Sequence, residues 1–389
     1  MKQSRTKSVL MILAAVVCVG LCALLLPWLG THVGADSGTK QTGSRSSADA
    51  VAAFELDVNN LVADALSDLE EIPVYIPKVY VLSEDTVIAP KPDPNAFGTS
   101  SDGADTIPAM EAAAELMDGQ EFLWDPYTER LAGSVVRWYQ DDTIFSVTWK
   151  ELINGRSVYN FTEVKVAHPS QFRRYLADNT FGNAMQYLPS QLAQTVNAVA
   201  AMNGDFYKFR KIGTVVYNRQ LYRLDSQYLD TCYVDTNGDL NFVHAGGLPT
   251  EEAVNQYVAD NDILFSLAFG PILIEDGVDV CPDNYLVGEV KNYYSRSVIC
   301  QLGPCHYLMV TVNHDSGYSG IGTIRTVTDQ LMLRGVPNAY CLDGGQTATM
   351  VIGGEVFNHV DWGTERAVSD IIYFATAIPE SERLEGEAG

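Results

Sequence analysis

A buried strand followed by an acid and two glycines offers the clearest chemistry in this sequence. The apolar residues 339–342 predict a strand that is buried on both faces, and Asp343, Gly344 and Gly345 follow it directly. Glycine lets the backbone turn sharply and lets a ligand approach where a side chain would block it. A carboxylate beside bare amides and the hydroxyl group of Thr347 suits a small polar ligand.

A second strand end of this kind occurs at Asn203, Gly204 and Asp205. The small apolar residues 198–202 predict a short buried strand, and two aromatic residues come after the acid. The stretch is either a turn that begins with Asn or a second wall of a ligand site, and the sequence leaves both readings open. In the second reading, the amide and the carboxylate hold hydroxyl groups while an aromatic ring lies against a sugar face.

Two arginines that precede predicted strands are candidates for binding an anion. Arg296 stands before the apolar residues 298–302, and Arg366 stands before the final strand predicted at residues 371–377. The usual fate of an arginine is a surface salt bridge, which is the alternative for both. The guanidinium group also binds phosphate or carboxylate through two parallel hydrogen bonds, so both residues are candidate anion ligands.

A glycine-containing turn at Ser319 and Gly320 leads into a helix predicted at residues 323–334. Free backbone amides at a helix N-terminus bind anions, although the same residues also make an ordinary helix cap. Because no lysine follows the last glycine of the turn, we exclude a nucleoside triphosphate site. The absence of a Gly-x-Ser-x-Gly motif argues against a serine hydrolase built on His314 and Asp315.

The charge balance and the metal-binding residue types exclude other classes of function. The chain has 389 residues and a formal net charge of −24, which would repel nucleic acid and anionic lipid headgroups. Residues 235–239 resemble part of a calcium loop but lack the closing glutamate, so they predict a hairpin turn. Cys305 and His306 have no second ligand pair at metal spacing. We therefore predict no nucleic-acid partner, no cofactor and no metal site, and we leave a divalent cation open.

The N-terminus has the pattern of a membrane anchor. Lys2, Arg5 and Lys7 precede residues 9–26, which carry no charge at all. The basic flank keeps the N-terminus in the cytoplasm, so a single-pass membrane protein with an extracytoplasmic C-terminal domain is predicted. Cleavage after the small residues that end at Ala35 would instead give a secreted form.

The pattern of the whole chain predicts an α/β fold of the mixed α+β kind, with a central mixed sheet and flanking helices and hairpins. The predicted domains are a cytoplasmic tip and anchor at 1–30, a spacer with a short helix and a proline-rich linker at 31–130, the main domain at 131–379 and an acidic tail at 380–389. Helices are predicted at residues 169–176, 188–196 and 323–334, and hairpins turn at residues 141–142, 218–219 and 237–238. Cys300 and Cys305 flank a Gly-Pro turn and are either paired or free thiols.

Taken in order, these motifs resemble the phosphodiester glycosidase family, which includes the enzyme that uncovers mannose 6-phosphate by removing N-acetylglucosamine. The resemblance extends over about residues 135–377 and rests on six motifs, namely 203–207, 268–277, 296–298, 319–323, 342–345 and 365–366. The sequence departs from the family pattern at Gln346 and Thr347, which stand where relatives have a third glycine and a serine.

The resemblance implies hydrolysis of a sugar 1-phosphodiester, similar to a GlcNAc 1-phosphodiester, in an envelope glycan or exopolysaccharide. We assign catalytic roles to Asp343, Asp205 and Arg296 on the expectation that carboxylates serve the anomeric carbon and cations serve the phosphate. A non-catalytic module that binds glycan phosphates or assembles polysaccharide on the same fold is the alternative. The residues assigned to substrate binding are Asn203, Gly204, Ser319, Gly320, Gly344, Gly345, Thr347 and Arg366.

Overall fold

Three β-sheets form most of the structure, a computed structural model that describes residues 80–182, 185–287, 290–313 and 322–386. The strands in chain order are β1 (Phe97–Ser100), β2 (Val136–Gln140), β3 (Ile144–Ile153), β4 (Ser157–Val166), β5 (Phe172–Leu176), β6 (Ala200–Asn203), β7 (Val215–Tyr217), β8 (Gln220–Arg223), β9 (Thr231–Asp235), β10 (Leu240–Val243), β11 (Ile263–Leu267), β12 (Ile272–Glu275), β13 (Val278–Asp279), β14 (Arg296–Gly303), β15 (His306–Asn313), β16 (Asn338–Leu342), β17 (Met350–Ile352), β18 (Glu355–Val356) and β19 (Asp370–Phe374). The α-helices are α1 (Ile107–Ala112), α2 (Ala114–Met117), α3 (Pro189–Thr195), α4 (Glu251–Asp260), α5 (Ile324–Leu333) and α6 (Glu380–Gly386).

The largest sheet has nine strands in the order β1-β2-β3-β4-β15-β14-β16-β12-β13. Two five-stranded sheets accompany it, with the orders β10-β9-β11-β7-β8 and β18-β17-β6-β19-β5. The predicted α+β character is confirmed. The predicted mixed sheet is corrected, because every strand pairing among the described residues is antiparallel.

Strand β16 is buried on both faces of the large sheet, which explains why its residues 339–342 are apolar without interruption. Along β16, Tyr340 and Leu342 join a core cluster that contains residues from all three sheets. Ala339 and Cys341 point to the other face and join a second cluster that includes residues of α5. The predicted burial of residues 339–342 on both faces is therefore confirmed, and the strand that carries Asp343 is fixed from two sides.

Several strand ends converge on the region that follows β16. Ser297 of β14 lies opposite Leu342 in the large sheet, and Ile371 of β19 lies opposite Asn203 in a small sheet. The hydroxyl group of Ser297 donates a hydrogen bond of 2.9 Å to Oδ1 of Asn203, which ties the two sheets together. The two motifs that the sequence places far apart are thus neighbours in the fold.

The helix predicted at residues 169–176 is wrong. Only Pro169–Gln171 forms a helical turn, and the next five residues form β5, which pairs with β19. The ring of Phe172 stacks on that of Phe374 with centroids 4.8 Å apart, so sheet pairing and aromatic packing override the helical spacing. The other predicted helices correspond to α3 and α5, and the three predicted hairpins are formed by β2–β3, β7–β8 and β9–β10.

Three further predictions concern the membrane anchor, the linker and the cysteines. Residues 9–26 lie outside the described residues, and no helix in the described part of the chain is long and apolar enough to cross a membrane. Strand β1 falls within the range predicted as spacer and linker, and it pairs with β2 at the edge of the large sheet. Cys300 and Cys305 are free thiols, as are Cys232, Cys281 and Cys341.

Candidate active site

An open cleft of about 220 Å³ lies beside the end of β16 and the start of β14. Its walls combine one carboxylate, three guanidinium groups, bare glycine backbone and several aromatic rings. The lining residues are Phe206, Phe209, Arg210, Phe269, Val287, Tyr294, Arg296, Asp343, Gly344, Gly345 and Arg366. Five of the predicted site residues, Arg296, Asp343, Gly344, Gly345 and Arg366, therefore meet in one place.

The half-buried carboxyl group of Asp343 is the titratable acid in this cleft. Its pKa is raised from 3.8 to about 6, chiefly by burial and to a smaller extent by the negative charge of Asp205. The hydroxyl group of Thr347, the amide of Gly344 and the charge of Arg366 oppose that rise. The carboxyl group can therefore gain or lose a proton near neutral pH, as a catalytic acid or base must.

Position 344 requires glycine because the backbone of Ser295 lies too close to leave room for a side chain. A Cβ atom at this position would lie 2.3 Å from the carbonyl oxygen of Ser295, a distance that backbone cannot tolerate. Gly345 adopts a φ of 63° and donates a hydrogen bond of 2.8 Å from its amide to the same oxygen. The two glycines thus allow the loop to fold tightly over the residue that precedes Arg296.

The two residues that depart from the family pattern hold this loop in place. The hydroxyl group of Thr347 donates to the carbonyl oxygen of Gly344 at 2.5 Å. The side-chain amide of Gln346 donates to the carbonyl oxygen of Thr364 at 3.1 Å. Both side chains donate hydrogen bonds to nearby backbone carbonyl oxygens. These two residues, although they depart from the family pattern, therefore fix the loop that follows Asp343.

Three arginines make the cleft cationic in a strongly acidic protein. Arg296 is buried and donates to the carbonyl oxygen of Asn292 at 2.6 Å, and its guanidinium carbon lies 5.4 Å from the ring centroid of Tyr294. The guanidinium carbon of Arg366 lies 4.9 Å from the ring centroid of Phe209. Aromatic faces hold these cations in position, and a cluster of guanidinium groups, of which that of Arg296 is buried and those of Arg210 and Arg366 are exposed, favours an anionic ligand.

Arg210 is the cleft arginine that the sequence did not reveal. It lies in an irregular turn between Tyr207 and β7, and its guanidinium carbon is 5.5 Å from the ring centroid of Phe206. In the sequence it is followed by a lysine and looks like part of a solvated basic pair. Arg210 could have been predicted from its position three residues after the 203–207 motif, because that motif is a candidate wall of the ligand site.

Asn203 and Gly204 lie beneath the cleft and not on its surface. The amide nitrogen of Asn203 donates to the carbonyl oxygen of Asp343 at 2.8 Å, and its oxygen accepts from Thr349 N at 3.2 Å. A Cβ atom at Gly204 would lie 1.9 Å from Oδ2 of Asp370. Asn203 therefore positions the loop that carries Asp343, and Gly204 leaves room for the side chain of Asp370. Neither residue lines the cleft.

Asp205 is also placed behind the cleft, which corrects the expectation that two carboxylates face the substrate. Its Oδ1 lies 2.9 Å from a guanidinium nitrogen of Arg174 and accepts from the amide of Tyr207 at 2.8 Å. Its Oδ2 accepts from the amide of Ala268 at 2.9 Å. The side chain is fully buried and its oxygens are bonded to protein groups, so it has no free face for a sugar.

A buried group of Arg174, Asp205 and Asp370 supports the wall of the cleft. The guanidinium group of Arg174 lies 2.8 Å from Oδ2 of Asp370 as well as bonding Asp205. Burial raises the pKa of Asp370, the charge of Arg174 opposes the rise and the charge of Asp205 adds to it. One cation between two carboxylates favours a proton on Asp370. Neither Arg174 nor Asp370 belongs to a recognisable motif, so sequence reasoning missed both.

The remaining predicted site residues are not found among those that line the cleft. Ser319 and Gly320 lie outside the described residues, as do His314 and Asp315. Thr347 is buried beneath the loop and acts through its bond to Gly344. Within the described ranges, no group of three or more His, Cys, Asp or Glu side chains is arranged to hold a metal ion.

Comparison with known proteins relates this part of the chain to one family. Residues 196–375 match the family model described as phosphodiester glycosidase. No curated protein matches the chain. A zebrafish N-acetylglucosamine-1-phosphodiester alpha-N-acetylglucosaminidase catalytic domain, auto-inhibited by its pro-peptide, aligns at 17% identity with a TM-score of 0.48, covering 61% of this chain and 84% of that one.

Two bacterial proteins align more distantly. A hypothetical protein from Synechocystis aligns at 13% identity with a TM-score of 0.43, covering 60% of this chain and 62% of the other. A putative exported protein from Burkholderia pseudomallei aligns at 13% identity with a TM-score of 0.39, covering 57% and 74%. The resemblance predicted from the sequence is confirmed by this match, in which residues 196–375 of the chain correspond to the phosphodiester glycosidase family model.

Proposed function

We propose that this protein hydrolyses a glycosyl phosphodiester by cutting between the anomeric carbon of the sugar and the phosphate oxygen. The observation that carries the proposal is Asp343, an acid with a pKa raised to about 6, in a cleft that it shares with three arginines. A carboxylate suits the positive charge that develops at an anomeric carbon, and guanidinium groups suit a phosphate. The cleft presents both kinds of group side by side.

The three arginines are proposed to bind and activate the leaving group. A phosphodiester carries one negative charge, and its departure from the sugar as a phosphate monoester places a second developing charge on the bridging oxygen. Arg210, Arg296 and Arg366 can stabilise that charge, so the leaving group needs little help from a general acid. Asp343 is the carboxylate that lines the cleft, and this chemistry needs no second one to act as a general acid.

Asp343 is proposed as the carboxylate that acts at the anomeric carbon. In the balanced reaction, the C–O bond to phosphate breaks, and the oxygen of one water molecule bonds to the anomeric carbon. One proton of that water stays on the new sugar hydroxyl, and the other passes through Asp343 to solvent. Asp205 is proposed to act indirectly, because its charge raises the pKa of Asp343 from behind the cleft wall.

The substrate that we propose is a GlcNAc 1-phosphodiester or a similar unit within an envelope glycan or exopolysaccharide. The cleft volume of about 220 Å³ lies below the roughly 300–1,000 Å³ of pockets that enclose drug-sized ligands, so it suits one sugar ring with its phosphate. The charge pattern of residues 1–30 supports an extracytoplasmic location for the domain.

A non-catalytic role in binding glycan phosphates is the second candidate function. It is favoured by Gln346 and Thr347, which replace the glycine and serine expected from the family resemblance. Against it stand the bonds of both side chains to loop backbone, because those bonds preserve the placement of Asp343. The two candidates differ in one respect that can be measured, namely turnover.

The test is sugar release by the full chain from synthetic hexose 1-phosphodiesters, beginning with methyl GlcNAc 1-phosphate. We expect turnover, and we expect Asp343→Asn to lower kcat by about 10²–10⁴-fold, the usual contribution of a positioned acid or base. Asp142→Asn is the matched control, because Asp142 is exposed in the β2–β3 turn and does not line the cleft. Saturable binding of the whole panel without sugar release would instead favour the binding module.

A further inference from the structure

The turn that carries Arg210 is irregular and has few hydrogen bonds of its own. It comprises residues 206–213, between β6 and β7, and three of its side chains line the cleft. The carbonyl oxygen of Phe206 accepts hydrogen bonds from the amides of Phe209 and Arg210 at 2.8 and 3.1 Å. These bonds close only the first half of the turn, so the carbonyl oxygens that point inward need donors from elsewhere in the chain.

One side chain, that of Arg223, supplies those donors. Its Nη1 donates to the carbonyl oxygen of Tyr207 at 2.6 Å, and its Nη2 donates to that of Ile212 at 2.6 Å. Its Nε donates to the carbonyl oxygen of Gly213 at 2.8 Å, and Nη1 makes a longer bond of 3.4 Å to that of Arg210. A single guanidinium group therefore gathers four carbonyl oxygens of the turn.

The β7–β8 hairpin explains how Arg223 reaches the turn. The turn runs into β7, and the chain then reverses at Asn218 and Arg219, both of which have positive φ. Strand β8 returns antiparallel to β7, with Arg223 opposite Val215. Because a tight hairpin fixes the register of its strands, it delivers Arg223 to the end of the turn that precedes β7.

Neither ordinary role of an arginine accounts for these contacts. A surface salt bridge would pair the guanidinium group with a carboxylate, whereas all four acceptors of Arg223 are backbone carbonyl oxygens. An anion ligand would keep its fork open toward the cleft, whereas Arg223 does not line the cleft and uses four of its five N–H donors on the turn. A planar fork suits this task better than the ammonium group of lysine, which presents its donors from one point.

We propose that Arg223 is a positioning residue for the phosphate-binding arginines of the cleft. This inference rests on the proposed function, in which those arginines hold the phosphate. Arg223 fixes carbonyl groups on both sides of Arg210, so the side chain of Arg210 is presented at one place on the wall. The turn also carries Phe209, whose ring centroid lies 4.9 Å from the guanidinium carbon of Arg366, so displacing the turn would disturb a second arginine.

Fixing the turn in advance matters because Arg210 is exposed and lies on irregular backbone. An arginine on a loosely held turn loses conformational entropy when it binds phosphate, and that loss weakens the complex. A turn that is held at four carbonyl oxygens has already lost most of that entropy during folding. We therefore expect Arg223 to raise the affinity for the phosphate group without touching the substrate.

Binding of methyl GlcNAc 1-phosphate to the full chain with Asp343→Asn, the parent variant, tests the inference without relying on turnover. We expect Arg223→Lys to weaken binding about tenfold, because lysine keeps the charge but loses the fork. When Arg210→Gln is already present, the same change should weaken binding by no more than about threefold, because most of its effect passes through Arg210. A residue that only stabilises the fold would add its full effect to that of Arg210→Gln.

Arg219→Lys is the matched control, because Arg219 belongs to the same hairpin but pairs with Glu84 and Asp262 at 2.7 and 3.1 Å. We expect it to bind the probe as the parent variant does. Amide hydrogen exchange is measured on the same proteins. Arg223→Lys should speed exchange in residues 206–213 and leave exchange in β6 and β16 unchanged.

Unchanged affinity in Arg223→Lys, or full additivity with Arg210→Gln, would overturn the inference and leave the proposed function standing. Faster exchange throughout the molecule would show a general role in stability and would overturn it as well. Arg223→Gln is the second variant if Arg223→Lys does not fold, and the failure of both to fold would have the same meaning. If the parent variant does not bind the probe and the wild-type chain does not hydrolyse it, the proposed function and the inference are refuted together.

Discussion

The acid at the end of β16 determines how the activity should depend on pH. In the proposed reaction, Asp343 must be ionised to stabilise the anomeric carbon or to accept a proton from water. Its pKa is raised to about 6, so the base form is lost as the pH falls through 6 instead of through the ordinary value near 4. We therefore predict that kcat/KM falls about tenfold per pH unit below 6, as measured on a GlcNAc 1-phosphodiester.

Arg366 provides an internal check on that assignment. Its positive charge lowers the pKa of Asp343, so Arg366→Gln should move the acidic limb of the profile to higher pH. Arg137→Gln is the matched control, because Arg137 pairs with Glu355 at 3.0 Å and does not line the cleft. An acidic limb that stays in place in Arg366→Gln would mean that another group governs the profile.

Among single residues, the sequence revealed those that stand at the ends of apolar strands. Asp343 and Arg296 were found in this way, because the change from apolar to polar is visible in the chain. Arg174 and Asp370 were missed because each lies inside or at the edge of a strand and its partner is about 196 positions away. Asp205 was found, but its burial behind the cleft depends on contacts that no local pattern encodes.

At the scale of elements, we expect the tight turn after β16 to be sensitive to substitution. Gly344→Ala would bring Cβ against the carbonyl oxygen of Ser295, so the loop must move. We predict a loss of about 1–3 kcal/mol in the free energy of unfolding and a larger loss of activity, because the loop carries Asp343. Denaturant unfolding and sugar release measure the two effects.

Gly345→Ala separates steric collision from backbone strain at the same turn. Gly345 has a φ of 63° and open space around its Cα, so an added Cβ would meet no neighbour. Its cost should be about 1 kcal/mol, with smaller effects on activity than those of Gly344→Ala. Equal effects of the two substitutions would show that the contact with Ser295 does not hold the loop.

The elements that the sequence predicted well are those fixed by local chemistry. Turns with Asn-Arg at 218–219 and Asn-Gly at 237–238 form hairpins because Asn and Gly accept positive φ, as Asn218 and Gly238 do. The segment 169–176 was mistaken for a helix because its apolar spacing fits both structures. Pairing of β5 with β19 decides the outcome, and that pairing joins residues almost 200 positions apart.

At the scale of the whole molecule, the acidic surface and the cationic cleft act together. A net charge of −24 repels polyanions, whereas three arginines in one cleft concentrate positive charge that suits the single phosphate of the proposed substrate. Composition alone predicts the repulsion, which constrains the partners that we expect. It could not predict the cleft, because the three arginines come from separate turns and strand ends that only the folded sheets bring together.

The position of the cut bond is the most direct test of the central claim, because a glycosidase and a phosphodiesterase break different bonds of one substrate. Hydrolysis of a GlcNAc 1-phosphodiester in ¹⁸O-labelled water by the full chain, followed by mass spectrometry of both products, measures it. The cleft of Asp343 and three arginines predicts that the label enters the anomeric hydroxyl group of the released sugar. Label in the phosphate product would show attack at phosphorus and contradict the account.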